Sequence, residues 1–383
     1  MRGWRADAVA SRIFSSADAR RIARRKLPWM IFDYIDGAAG QETGAARTRV
    51  ALDGLELRPR ILRDVSARSL SVEVFGTATK APFGISPMGL CNLSGPSADL
   101  MLARLAAREK VPLGVSTISS TALEPLIEVA EGHAWFQLYF SGDGTGTFKL
   151  VDRAWDAGYR TLILTVDVPE LGRRPRELRH GFKMPFRIGP RQFLDFALHP
   201  RWSLATLFRG RPEPANFKMP GFDFDRTESR AKADWAMLGR LRDRWPGNLV
   251  VKGVLDVEDA LELKAAGVDE IQVSSHGARQ LESAPAPICV LPRIRDALGA
   301  GYPLFYDSGL RSGEDVVKAY GQGANFAFLG RVLQFAIAAG GEEGLHQLWQ
   351  VLCEETSVTL ALIGATRLGD CASGAVMNGA GRD

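Results

Sequence analysis

Eight short apolar runs punctuate the chain, and each leads into polar residues or glycine. They are Phe83–Pro87 (FGISP), Leu113–Thr117 (LGVST), Trp135–Tyr139 (WFQLY), Thr161–Asp167 (TLILTVD), Leu249–Gly253 (LVVKG), Glu270–Ser275 (EIQVSS), Leu304–Gly309 (LFYDSG) and Phe326–Arg331 (FAFLGR). The runs are continuous rather than alternating, the pattern of strands covered on both faces. Helical stretches lie between most of them: Ser97–Lys110, Asp256–Gly267 and Ser312–Gly323. In the second, Asp256 is placed as N-cap and Gly267 as C-cap. Eight β-then-α units predict an α/β fold of the (β/α)8 TIM-barrel type. An open doubly wound sheet is the alternative.

Two segments fall outside this rhythm. The first 80 residues carry helices ahead of the barrel at 81–365, with a break at Leu27-Pro28. The stretch from Val168 to about Ser229 is too long for an ordinary loop after the fourth strand. Between Gly181 and Pro220 it holds seven basic residues (Lys183, Arg187, Arg191, Arg201, Arg209, Arg211, Lys218) and two acidic ones (Asp195, Glu213). Phe193, Phe196, Trp202, Leu207 and Phe208 are interleaved with them. Such a segment is either a solvated lid or a contact for an anionic membrane surface. We take residues 1–383 as one domain.

Composition narrows the function classes. The 383 residues are 46% hydrophobic and 24% charged, as in a globular protein. No stretch reaches the roughly 18–20 apolar residues of a membrane helix. The charged N-terminus lacks a signal-peptide core, so a cytoplasmic location is expected. A net charge of +4 gives no argument for nucleic acid. Cys91, Cys289, Cys353 and Cys371 form no CxxC pair, which predicts buried or partly buried thiols and no metal site. The GDGTGT stretch (Gly142–Thr147) lacks the third glycine of a dinucleotide loop and reads as a surface loop.

The chemistry gathers where the strands end, since barrel sites form at the C-terminal mouth. Pro87-Met88-Gly89, Ser116, Gln137 and Tyr139, Thr165 and Asp167, Lys252, Ser274-Ser275-His276, Asp307-Ser308-Gly309 and Gly330-Arg331 all fall there. One polar strand end can be structural; six or more at one mouth are hard to explain as packing. Glycines and arginines after strands seven and eight (Arg311, Arg331) fit a phosphate site built from backbone N–H groups and guanidinium.

These motifs resemble the FMN-dependent 2-hydroxy-acid dehydrogenase/oxidase family, which includes L-lactate dehydrogenase, mandelate dehydrogenase and glycolate oxidase. FDYIDGAAGQE, WFQLY, TVDVPELGRRPRELRHGF, VVKGV, VSSHGARQLE, YDSGLRSGEDVVKA and FAFLGR carry the resemblance, which spans Ala17 to Ala365. It implies that His276 takes a proton from the substrate and that Asp167 orients the imidazole. Arg279 and Arg174 would grip the substrate carboxylate, and Tyr139 its 2-hydroxyl. Lys252 would face the flavin. Gln137, Thr165, Ser116 and Pro87, Met88 and Gly89 would hold the isoalloxazine. Asp307, Arg311, Gly330 and Arg331 would hold ribityl and phosphate, with Ser274, Ser308 and Gly309 beside them.

On the same resemblance, Phe32 stands where glycolate oxidase has a carboxylate-binding tyrosine, and Ile118 where it has a pocket tryptophan. Ser275, Glu282 and Thr48 replace a usual Asn, Asp and Asn. Gly89 is what the dehydrogenases tend to have, oxidases having Ala. The expectation is oxidation of an L-2-hydroxy acid, foremost L-lactate, with FMN as cofactor and a quinone-type acceptor, and peripheral membrane association of a homo-oligomer, a tetramer. L-Mandelate or another bulky acid, an oxygen-using oxidase, a colourless sugar-phosphate isomerase and a silent flavin-binding relative are the alternatives.

Overall fold

The computed structural model describes residues 12–182, 188–209, 212–219, 222–223, 230–372 and 376–378. Lys183, Arg187 and Arg211 of the basic segment lie outside them. The eight runs form a closed parallel barrel. Its strands are β1 (Phe83–Met88), β2 (Leu113–Ser116), β3 (Ala134–Leu138), β4 (Thr161–Thr165), β5 (Asn248–Val254), β6 (Glu270–Val273), β7 (Leu304–Tyr306) and β8 (Phe326–Leu329). Each pairs with its neighbour in sequence, and β8 closes on β1. Most strands stop one to three residues short of the expected ends, because the terminal residues turn outward into loops that line the mouth.

Every second residue of a barrel strand points inward. At the foot those residues are Trp135, Ile163, Val250, Phe305, Phe326 and Phe328, a cluster separate from the layer between strands and helices. The antiparallel pair Val72–Val74 and Thr77–Thr79 adds Val74 and brings Phe75 against Trp135, with ring centroids 5.5 Å apart. Two steps along the same strands the inward residues become polar: Gln137, Thr165, Lys252, Asp307. The two-residue period therefore stacks an apolar floor beneath a polar mouth.

Three helices precede the barrel: α1 (Ser16–Lys26), α2 (Trp29–Asp36) and α3 (Thr43–Asp53). Ser15 caps α1 by accepting from the Asp18 amide. Leu27-Pro28 separates α1 from α2, as expected. α2 has no side-chain cap from its own N-cap residue; Asp195 of the helix Pro190–Leu198 supplies one, its carboxylate accepting from the amides of Trp29 (3.0 Å) and Met30 (3.3 Å). The strand Leu55–Leu57, which follows α3, pairs antiparallel with Val376–Asn378 near the C-terminus.

Some details differ from expectation. Asp256 is an N-cap, but the C-cap of its helix is Ala266; Gly267 follows in the left-handed conformation at φ +76°. Gly142–Thr147 is a turn that opens the helix Thr145–Asp156. Cys91 and Cys371 are buried and Cys353 half-buried, whereas Cys289 is exposed, because it lies on the outer face of the helix Pro287–Leu298. No helix of the described residues is long and apolar enough to cross a membrane.

Candidate active site

A cavity of about 520 Å3 opens at the C-terminal ends of the strands, bounded on one side by α2 and α3. Its volume falls in the range of small-molecule and cofactor sites. Pro87, Met88, Gly89, Tyr139, Arg174, Lys252, His276, Arg279, Asp307, Ser308, Gly309, Arg311, Gly330 and Arg331 line it. Ser116, Gln137, Thr165, Ser274 and Asp167 stand behind that lining. Gln137 Nε2 donates to Thr165 Oγ1 at 3.0 Å, and Ser116 Oγ donates to Gln137 Oε1 at 3.1 Å, so these three form one buried shelf.

His276 sits in a strained turn. His276, Gly277 and Ala278 all have positive φ, between 55° and 63°, in the left-handed region that costs non-glycine residues energy. Three hydroxyls hold the turn. Ser274 Oγ accepts from the His276 amide, Ser275 Oγ from the Ala278 amide, and Ser308 Oγ from the amides of Ser275 and Gly277. Ser275 thus caps the turn that carries the imidazole. His276 Nδ1 lies 3.0 Å from Asp167 Oδ1. Burial raises the Asp167 carboxyl, but the imidazole and the Lys252 ammonium outweigh it, and the group lies below the usual carboxylate range. With Asp167 ionised, Nδ1 carries the proton and Nε2 is left as the basic nitrogen. Asp167 has room because Gly253 takes φ +108°; a Cβ there would come 2.7 Å from the Asp167 side chain.

Lys252 is buried beside Asp307, with Nζ 3.1 Å from Oδ2, and it donates to Ser274 Oγ at 2.8 Å. Asp307 also accepts from Gln272, Ser274 and Ser308. Its carboxylate is therefore engaged inside the barrel and is the hub of the network that holds Lys252.

Arg279 and Arg174 converge on Glu177, which accepts from Arg279 at 2.9 Å and from Arg174 at 3.2 Å. Arg279 also donates to the carbonyls of Tyr34 and Gly37 at the end of α2. Burial, with Arg174 close by, pulls the Arg279 guanidinium below its ordinary value. Burial likewise brings Arg331 down to about 10. Arg331 donates to the carbonyls of Asp36 and Gly277, joining α2 to the histidine turn.

Sequence reasoning misplaced one residue and missed four. Phe32 packs against Phe335, centroids 6.0 Å apart, and does not face the cavity. The tyrosine two residues on does: Tyr34 lines it, stacks on Phe182 at 4.3 Å and is pushed up to about 12 by burial. Glu177 was passed over among its basic neighbours. Arg230 stands over the Tyr139 ring, 4.3 Å from its centroid. Asp36, held by Arg20 and Arg176, completes the wall near Arg331. Ile118 and Thr48 do line the cavity. Glu282 instead reaches α3 from outside, accepting from the Gln41 and Thr43 amides, which its extra methylene allows.

A sequence profile described as FMN-dependent dehydrogenase matches residues 23–378. The chain belongs to the FMN-dependent dehydrogenase family. It is 38% identical over 364 residues to a (S)-mandelate dehydrogenase of Pseudomonas putida, covering 93% of this chain and 92% of that one. An L-lactate dehydrogenase of Bartonella tribocorum is 34% identical, with coverages of 96% and 98%. A crystal structure of monotopic membrane protein (S)-mandelate dehydrogenase superimposes with a TM-score of 0.91 at 36% identity, covering 96% of this chain and 99% of that one. The chain is thus an FMN-dependent 2-hydroxy-acid dehydrogenase, and FMN is its cofactor. The donor set fits that group: a buried ammonium at Lys252, a shelf of amide and hydroxyl side chains, and guanidinium groups with glycine backbone after β7 and β8, where a phosphate is commonly bound.

Proposed function

We propose that the enzyme oxidises an L-2-hydroxy acid to the 2-oxo acid and passes the electrons to a quinone-type acceptor, working as one catalytic domain. The juxtaposition of the His276–Asp167 pair with Arg279 and Arg174 in one cavity carries this reading. Bound FMN supplies the chemistry of accepting two electrons from the substrate and yielding them to the acceptor. Gln137, Thr165, Ser116 and Pro87 to Gly89 would hold its ring. Lys252 would favour negative charge on the reduced ring. Arg311, Arg331, Ser308, Gly309 and Gly330 would hold its phosphate.

The protein's own part is orientation and proton transfer. Arg279 and Arg174 grip the carboxylate; their fork suits its two oxygens. Tyr139, pushed up to about 12 by burial, stays protonated and donates to the 2-hydroxyl. His276 Nε2 takes the substrate proton, and Asp167 stabilises the imidazolium that results. Fixing the acid at both ends before the proton moves is an entropic gain.

L-Lactate is the reference substrate. A bulkier acid such as (S)-mandelate is the second reading, supported by the likeness to (S)-mandelate dehydrogenase. Phe193, Leu194, Leu198, Leu207 and Phe208 are exposed on the helices Pro190–Leu198 and Pro200–Arg209, with Arg191, Arg201 and Arg209 among them, which supports peripheral contact with an anionic membrane. A homo-tetramer is proposed on family habit, to be checked by light scattering. The functional test is an oxygen-free spectral titration with L-lactate and (S)-mandelate, followed by a soluble quinone or by air. Bleaching of the flavin band reversed faster by quinone supports the proposal; a band indifferent to both acids overturns it.

A further inference from the structure

We propose that Arg230 forms a second anion subsite, so that the pocket takes 2-hydroxy acids whose side chain ends in a carboxylate. This rests on the hydroxy-acid reading and names the substrate class within it.

Arg230 lines the same cavity as Arg174, Arg279 and His276. It is half-buried, and its guanidinium lies over the face of Tyr139. Among the described residues it makes no ion pair, whereas Arg279 and Arg174 share Glu177. Burial lowers its affinity for the proton; Tyr139 and the exposed Glu170 oppose this, and Arg174 adds to it.

A charge ledger gives the ligand. Among the described residues, three guanidinium groups line the substrate end, with Glu177 bonded to two of them. Tyr34 and Tyr139 are neutral, since burial pushes both up to about 12. Asp167 stands behind the lining and is bonded to His276 Nδ1. Lys252 and Asp307 cancel each other. Sharing Glu177 leaves one positive charge on the Arg279 and Arg174 pair for the substrate's 1-carboxylate, and Arg230 carries a second that no ion pair among the described residues offsets. A monocarboxylate neutralises one and leaves a partly desolvated guanidinium in a cavity whose lining also includes Ile118, Val168 and Leu171. A dicarboxylate neutralises both, with one carboxylate on Arg279 and Arg174 and the other on Arg230. A guanidinium presents the planar donor fork that a carboxylate matches.

The test compares chain-matched acids on the FMN-loaded protein: L-malate against L-2-hydroxybutanoate, and L-2-hydroxyglutarate against L-2-hydroxypentanoate. Flavin bleaching is followed without oxygen. Calorimetry with succinate and butanoate, which lack the 2-hydroxyl, reads binding alone. The expected result is at least a tenfold preference for the dicarboxylate of each pair. Arg230→Met should abolish it, lowering kcat/KM for the dicarboxylates at least tenfold more than for the neutral acids, with Arg230→Lys recovering part of the difference. A preference for the neutral acids, or an equal loss on all acids in Arg230→Met, overturns the subsite and makes Arg230 a contact that steadies Tyr139. A selective loss on (S)-mandelate overturns it in favour of a ring bound to the guanidinium. If no 2-hydroxy acid bleaches the flavin, the functional reading itself falls.

Discussion

Replacing Asp167 by Asn probes the pair on which the proposed chemistry depends. The substitution keeps the shape and removes one charge 3.0 Å from His276 Nδ1. At an effective dielectric of 20, the attraction between that carboxylate and an imidazolium is about 5.5 kcal/mol, an upper bound for what the transition state loses. The ground state loses less, because the imidazole is neutral there and the bond is an ordinary one to a charged acceptor, worth about 1.5–3 kcal/mol. The amide also adds a donor that can turn the imidazole to the wrong tautomer. The expected fall in the rate of flavin bleaching is therefore about 10²- to 10³-fold, within the range of a positioned general base. KM should move far less, since Asp167 stands behind the cavity lining. Oxygen-free stopped-flow mixing with L-lactate reads the rate directly, with FMN content as control. A fully loaded variant that bleaches within fivefold of the wild-type rate would refute the assignment of Asp167 as the imidazolium's partner.

Other outcomes follow from single side chains. Glu270, buried at the foot of β6, is pushed up to about 9 by burial and by Asp269. It holds its proton in the folded chain and loses it in the unfolded one between the ordinary glutamate range and that value, so stability falls as pH rises across this window. Glu270→Gln should remove that slope and raise stability at pH 7.5 by up to about 4 kcal/mol; denaturant midpoints that shift equally at pH 5 and pH 8 would refute it. A Cβ on Gly89 would lie 2.5 Å from Ile118 Cγ1 and Cδ1. Gly89→Ala should therefore cut kcat/KM for (S)-mandelate more than tenfold and for L-lactate less than threefold, and equal losses would contradict this packing. Gly253→Ala sets a side chain at φ +108° against Asp167, which should lower stability by about 1–3 kcal/mol and slow bleaching together; an unaltered melting temperature would rule this out.

The barrel was legible because its strands are apolar on both faces and its mouth is polar, so run, break and strand end could be located without tertiary contacts. His276, Asp167 and Lys252 were legible for the same reason: each lies within three residues of the last apolar residue of its run. Tyr34 was not. The α2 sequence WMIFDYID is apolar almost all round, and Phe32 and Tyr34 point to opposite sides of a helix, so only the packing of Phe32 on Phe335 decides which one faces the cavity. Glu177 lies in the excursion and Arg230 directly after it, and the excursion's course follows from long-range docking such as that of Asp195 on α2 and of Trp202 Nε1 on the Leu93 carbonyl. Cys289 was misjudged because helix exposure depends on which face the barrel covers.

The most direct test of the whole account sets the wild-type protein beside His276→Ala, each loaded with FMN and mixed with an L-2-hydroxy acid in the absence of oxygen. The wild type should bleach, and the variant should stay yellow while still binding the acid. Equal bleaching of both, or a wild-type protein that takes up no FMN, would contradict the site described here.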